Sequence, residues 1–341
     1  MIKIRKRKNF NIGIEFLRII LSFLIVVYHV HSRKEKSLVL NFTLYFLNFY
    51  TSTFFLMSFY FSFKSLSSKD INIIKERLQR IILPYIFWPI IIFLDKNIYN
   101  YINHQHMQYS IGNLIVQLIV GRKINDVFWF QFNLIFISTF IILVLLIFSK
   151  KKSYYFLIII LFFSIVFNYK GYNQKIFSLY NITIYHSIGR LSIYYIYAII
   201  GFFLGSYNIL GKLQIYKFKI NLFFPIFLYL FKEHKKIYQL LPKGLFLINC
   251  IFIIGLFISF GCIPFDCIFN KKLSFWINKL TGFTGGIYYI HFFIYECCKR
   301  FSIVMRKTNL KACIIVYLLS YLINLFFYNI FQKTKIKYLF I

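Results

Sequence analysis

Long apolar stretches, each closed by a short polar or charged segment, recur from one end of the chain to the other. The runs are continuous rather than alternating, which is the pattern of helices and not of half-buried strands. Roughly twenty such residues cross about 30 Å of hydrocarbon as a helix, and lipid admits no open-edged sheet. The pattern predicts about ten spans, near residues 12–31, 38–63, 81–95, 128–148, 153–168, 191–209, 219–231, 244–262, 280–297 and 312–331. Those at 81–95, 153–168 and 219–231 are short for a crossing. Pro84, Pro89 and Pro225 fall inside or at the edges of apolar runs and predict kinks whose freed carbonyls are met by neighbouring helices. No repeat and no long linker divides the chain. The expected fold is therefore all-α, a polytopic transmembrane helical bundle with residues 1–341 forming a single membrane-embedded domain.

Between the second and third expected spans, residues 64–80 form the most patterned loop. Ser67 or Ser68 can cap a short helix whose apolar positions are Ile71, Ile73, Ile74 and Leu78. Its basic side carries Lys75, Arg77 and Arg80. Two readings stand side by side: an interfacial helix with its cations among lipid phosphates, or an anion site in which Arg77 and Arg80 share one face at i and i+3. Trp88, Trp129 and Trp276, with many tyrosines, lie near span ends and read as interface anchors.

Composition supports the membrane assignment and removes other classes. The chain is 60% hydrophobic and 23% aromatic, with 15% charged residues. The formal net charge of +32 invites a nucleic-acid reading, but no basic soluble domain carries it. Lys and Arg are scattered over short loops at membrane borders, where they report topology and lipid contact, so the partner they imply is the bilayer. Lys3, Arg5, Lys6, Arg7 and Lys8 precede the first span and place the N-terminus on the cytoplasmic side of a multi-pass protein. No cleavable signal peptide is evident, because the first run is long and carries Arg18. The cysteines Cys250, Cys262, Cys267, Cys297, Cys298 and Cys313 all lie in the second half. None has metal-ligand spacing with histidine, and they read as small buried hydrophobes, with no metal site expected.

Candidate chemistry begins inside the first span. Arg18 and His29 are eleven residues apart, so at about 100° per residue they share one stripe of the helix, about 16 Å apart along its axis. Glu15 and Ser22 fall near that stripe. An intramembrane Arg costs roughly 2.5–3.5 kcal/mol on insertion scales, so its presence asks for a function or a partner. A neutral imidazole at the outer end of the span is suited to act as general base toward a hydroxyl. Arg18 is suited to hold a phosphate or carboxylate, or to pair with Glu15 at i, i+3. His31 points about 200° away from His29; His104, His106 and His234 fall in expected loops, and His186 lies just before the sixth span. Asn181-Ile182-Thr183 fits a glycan acceptor sequon in an expected outer loop.

The stretch Glu15-Phe16-Leu17-Arg18 with His29 resembles the opening of the acyltransferase 3 family of integral membrane proteins. Further landmarks follow in order. Phe54-Phe55-Leu56-Met57-Ser58 is similar to the family's Phe-Phe-x-x-Ser-Gly, and Arg77-Leu78-Gln79-Arg80 with Pro84-Tyr85 to its Arg-x-x-Arg and Pro-Tyr. Phe128-Trp129-Phe130 resembles its Trp-Phe-Leu, and Gly189-Arg190 with Gly201 and Gly205 its arginine-then-glycine helix. Gly286-Ile287-Tyr288-Tyr289-Ile290-His291 resembles its Gly-Ile-Tyr-x-x-His. Two departures stand out: Phe59 occupies the place of the glycine after Ser58, narrowing the approach to the first span, and the acid that often closely follows the histidine is six residues on, at Glu35.

The resemblance implies transfer of an acyl group, commonly acetyl, from acyl-CoA to a hydroxyl or amine of a carbohydrate, glycolipid or surface-polymer acceptor. It implies His29 as base and Arg18 as its partner or a donor-binding group. Arg77 and Arg80 would contact the anionic donor, and Glu15 and Ser58 are further candidates. His291 reads first as an interhelical hydrogen-bonding group, with a catalytic role as the alternative. A different class, a transporter or exporter of a polysaccharide or lipid-linked glycan, needs similar intramembrane Arg, Glu and His. Thioester cleavage discriminates the two.

Overall fold

The computed structural model describes residues 11–30, 38–68, 70–104, 109–121, 123–169, 191–213, 245–263, 265–301 and 310–340. Its helices are α1 (Ile12–Val30), α2 (Leu38–Leu66), α3 (Ile71–Ile102), α4 (Ile111–Val120), α5 (Trp129–Ile147) and α6 (Lys150–Tyr169). They continue as α7 (Leu191–Ser206), α8 (Ile209–Leu213), α9 (Leu245–Cys262), α10 (Phe265–Ile268), α11 (Lys271–Thr281), α12 (Thr284–Phe301) and α13 (Leu310–Phe331). Short 3₁₀ turns cover Asp126–Phe128 and Lys335–Phe340, and no strand occurs among the described residues. The all-α architecture expected from the continuous apolar runs is what the chain adopts. The expected span at 219–231, and His31, Glu35, His106, Asn181, Thr183, His186, Gly189, Arg190 and His234, lie outside the described residues.

Five described helices are long and apolar enough to cross a membrane: α1, α3, α5, α6 and α13. The apolar α7 and α9 are shorter. Along the apolar stretch of α1, 56% of residues are buried against other helices, compared with 17% for α6. So α1 is a central helix and α6 a rim helix facing lipid. Neighbours surround α1 on several sides, namely α2, α9, α11, α12 and α13. Asn11 starts it, accepting from the Ile14 amide at 3.2 Å while its Nδ2 donates to the Gly261 carbonyl of α9 at 2.8 Å.

The third helix differs from its sequence reading. Instead of an interfacial helix, a break and a short span, one helix of 32 residues runs from Ile71 to Ile102 with Pro84 and Pro89 inside it. Its cap is Asp70, which accepts from the Asn72 amide at 2.8 Å, rather than Ser67 or Ser68. Ser68 instead receives the Asp70 amide at 3.1 Å. Proline removes a backbone donor and loosens the turn before it. Gln131 of α5 braces that turn, its Nε2 donating to the Ile81 carbonyl at 2.9 Å, and the helix continues through the prolines. A second departure lies beyond α3, where Ser110 caps the unexpected helix α4 and Gly121 closes it in the left-handed conformation, φ 77°.

The α2–α7 pair is packed through small residues. A Cβ on Gly201 would meet the Leu56 carbonyl, and one on Gly205 would lie 2.7 Å from the Tyr60 carbonyl oxygen. Close approach is thus provided by glycines on α7, while Phe59 of α2, in place of the family glycine, is a fully buried core side chain. The core divides into two main clusters. One joins the first half of α1 to α2, α5, α7 and α9; the other joins Val26, Val27 and Val30 to α3, α12, α13 and the C-terminal turn. Trp88 belongs to the second cluster, and this corrects its reading as an interface anchor. The Lys335–Phe340 turn returns over it, and its Nε1 donates to the Leu339 carbonyl at 3.2 Å. Trp129 likewise faces inward, stacked on Tyr194 at 5.4 Å, whereas Trp276 of α11 is exposed. Of the cysteines, Cys250, Cys262, Cys297, Cys298 and Cys313 are free thiols.

Candidate active site

The polar stripe of α1 faces α12 and α13. At its N-terminal end Glu15 is fully buried, and its Oε2 lies 3.8 Å from Nη1 of Arg18. This pair offsets part of the cost of an intramembrane guanidinium. One turn on, Ser22 Oγ donates to the Ile19 carbonyl at 2.8 Å. Its lone pair is then open to the Tyr317 hydroxyl of α13, 2.9 Å away. At the C-terminal end the His29 ring lies 5.3 Å, centroid to centroid, from the ring of His291. The four positions separated along the sequence by helical periodicity do line one surface, and two further helices complete it.

Helix α12 brings three side chains to that surface. Tyr288 donates to the Val127 carbonyl at 2.6 Å, fixing α12 to the turn that precedes α5. Tyr289 lies beside the Gln131 amide, and the charges of both Arg18 and Arg77 act on its hydroxyl. His291 is fully buried, with Nδ1 3.0 Å from the Ile287 carbonyl of its own helix. Because a carbonyl only accepts, Nδ1 carries the hydrogen and Nε2 presents a lone pair. That Nε2 is enclosed without a hydrogen-bond partner. The interhelical hydrogen bond expected for His291 is not found among the described residues, and an unmet buried acceptor costs about 1–3 kcal/mol.

Helices α2 and α3 close the side nearer Arg18. Arg77 donates through Nη2 to Ser58 Oγ at 3.0 Å, and its Nε is enclosed without a partner. Its charge and that of Arg18 act on each other, so the two guanidiniums share one region. No carboxylate pairs with Arg77 among the described residues, which leaves a positive charge facing the interior. Arg80 is placed elsewhere. Its Nη2 lies 2.6 Å from Glu76 Oε1, its guanidinium covers Tyr338 at 5.3 Å, and both it and Glu76 are half exposed. Tyr338 also donates to Glu76 Oε1 at 2.9 Å. Burial, then the Glu76 carboxylate, push its phenol above the ordinary range. The two arginines that share a face on paper therefore have separate partners, because Glu76 at i−4 and the C-terminal turn take up Arg80.

The aromatic landmarks build one wall. Phe55 stacks on Tyr194 at 4.4 Å and packs on Phe130 at 4.6 Å; Phe130 meets Tyr288 at 5.2 Å, and Tyr288 meets His291 at 6.1 Å. Segments far apart in the chain thus become neighbours of the His29–His291 pair. Sequence reading missed Lys96, Gln131 and Tyr317. Lys96 donates to the Ile124 carbonyl at 2.9 Å and lies 5.9 Å from the Phe292 ring, which in turn is 6.5 Å from His29. Next to it Asp95 pairs with Arg300 at 2.7 Å. A polar residue embedded in an apolar run was the available signal for Gln131; for Tyr317, one tyrosine among 28, there was none.

Residues 11–305 match the family model described as an acyltransferase domain, of the acyltransferase 3 type. No curated protein and no solved structure matches the chain. The match covers the helices that carry His29, Arg18, Ser58, Arg77 and His291, and the chain belongs to the acyltransferase 3 family of membrane proteins.

Proposed function

We propose that this membrane acyltransferase moves an acyl group, acetyl by preference, from acyl-CoA to a hydroxyl of a carbohydrate or glycolipid acceptor. The observation that carries the reading is the convergence of α1, α2, α3 and α12 on one polar surface within the bundle, with cations at one end and two imidazoles at the other. Arg77, held by Ser58, and Arg18 offer charge to the donor's anionic groups. His29 stands about 16 Å further along α1, a separation suited to the extended arm that carries the thioester. With the N-terminus cytoplasmic, the donor enters from that side and the acceptor meets His29 toward the other face.

In the reaction, the neutral His29 imidazole takes the proton of the acceptor hydroxyl as its oxygen bonds to the thioester carbonyl carbon. The tetrahedral intermediate then collapses, the carbon–sulfur bond breaks, and the leaving thiolate takes the proton back from His29. The products are an ester and free CoA thiol, with His29 neutral again. Vesicles carrying the protein should release thiol from acetyl-CoA labelled in the acetyl group and pass the label to the glycan fraction of the source cells. His29→Ala should abolish both signals, a loss of at least about 100-fold for a general base. Full activity in that variant overturns the assignment. Glycan crossing in sealed vesicles without thiol release would mark an exporter instead.

A further inference from the structure

We infer that His291 is the positioning residue for the proposed base: its Nε2 lone pair receives the N–H of the His29 ring when His29 holds the acceptor's proton. The inference rests on the reading of His29 as general base. The bond from Nδ1 to the Ile287 carbonyl holds the tautomer that leaves Nε2 an acceptor, and this nitrogen is enclosed with no donor supplied by the fold. An imidazole pair bridged by one N–H···N hydrogen bond has centroids about 5 Å apart, since the bond spans about 3 Å and each nitrogen lies about 1 Å from its ring centre. The rings are 5.3 Å apart and inclined at 40°, close to that separation.

Three further described side chains near the pair have other roles. The Tyr288 hydroxyl is already donated to Val127, Lys96 is a cation bonded to the Ile124 carbonyl, and Phe292 is apolar. An imidazolium formed in this dry interior is disfavoured unless a lone pair meets its N–H. His291 meets that need without taking the proton itself. The proton passes from acceptor hydroxyl to His29 and on to the departing thiolate, and His291 stays neutral throughout.

The test compares His291→Phe, which keeps a ring, with His291→Gln, whose side-chain oxygen accepts a hydrogen bond. Acetyl-CoA is the donor and the glycan fraction of the source cells the acceptor, with kcat and KM measured separately. His291→Phe should lower kcat about 10- to 100-fold with KM for acetyl-CoA within about twofold, and His291→Gln should recover most of that loss. Both variants should match the parent in membrane level and thermal unfolding. Unchanged kcat in His291→Phe, a loss confined to KM, or a Gln variant no better than Phe each overturns the inference. If His29→Ala is inactive while His291→Phe is unaffected, the inference alone fails; if His29→Ala retains full activity, the reading of the base fails and takes the inference with it.

Discussion

Arg77 donates a 3.0 Å hydrogen bond through Nη2 to Ser58 Oγ, tying α3 to α2 and leaving its enclosed Nε without a partner. Three residues along the same helix, Arg80 is bound to Glu76 and stacked on Tyr338 at the surface. The pair therefore separates one cation directed into the bundle from one already spoken for outside it.

That separation predicts unequal roles. Arg77→Gln should raise KM for acetyl-CoA at least tenfold, and Ser58→Ala should raise it several-fold by releasing the guanidinium, consistent with a charge-assisted hydrogen bond worth about 1.5–3 kcal/mol. Arg80→Gln should change KM less than about twofold. Equal effects of Arg77→Gln and Arg80→Gln in steady-state kinetics would show that both contact the donor.

The Glu15–Arg18 pair should be coupled in stability. Removing one partner leaves the other charge less well compensated, whereas neutralising both costs less than the sum. Glu15→Gln and Arg18→Gln should each lower the thermal unfolding temperature in detergent, and the double variant should lie above the additive value. Strict additivity would mean that the 3.8 Å contact carries no mutual stabilisation.

Helix α7 should tolerate no bulk where it meets α2. Gly201→Val drives side-chain carbon into the Leu56 carbonyl, and the helices must separate. Loss of folded protein is expected on size-exclusion chromatography, with Gly205→Ala a milder case. A fully folded Gly201→Val variant would require a looser α2–α7 contact than this one.

The C-terminal turn should protect Trp88. Deleting residues 335–341 removes the Leu339 carbonyl from its indole and the Phe340 ring that stacks on Phe327 at 5.0 Å. Tryptophan emission should shift to the red and the unfolding temperature should fall. An unchanged spectrum would place the indole's shelter elsewhere.

Much of the fold was legible along the chain, because lipid imposes a length and a polarity on every crossing segment. The apolar runs at 12–31, 128–148, 153–168 and 312–331 return as α1, α5, α6 and α13 with small changes at their ends. Where the reading broke was α3, whose Asp70 cap opens a single helix that takes in both the expected loop helix and the expected short span. Gln131, on another helix, supports the turn before Pro84 through the Ile81 carbonyl. Trp88 misled for a similar reason: its partner is a carbonyl about 250 residues away, and no local pattern signals it.

What the sequence determined by itself was what one helix can determine. The 3.6-residue period set Glu15, Arg18, Ser22 and His29 on a common stripe, and the ordered landmarks named the family. Tertiary structure decided what that stripe faces. Only packing brings Tyr317 to Ser22, gives Arg77 to Ser58 and Arg80 to Tyr338, and sets His291 beside His29. Helical periodicity is a short-range rule, whereas the partner across an interface is chosen by how whole helices fill space, and that choice is written in no single segment.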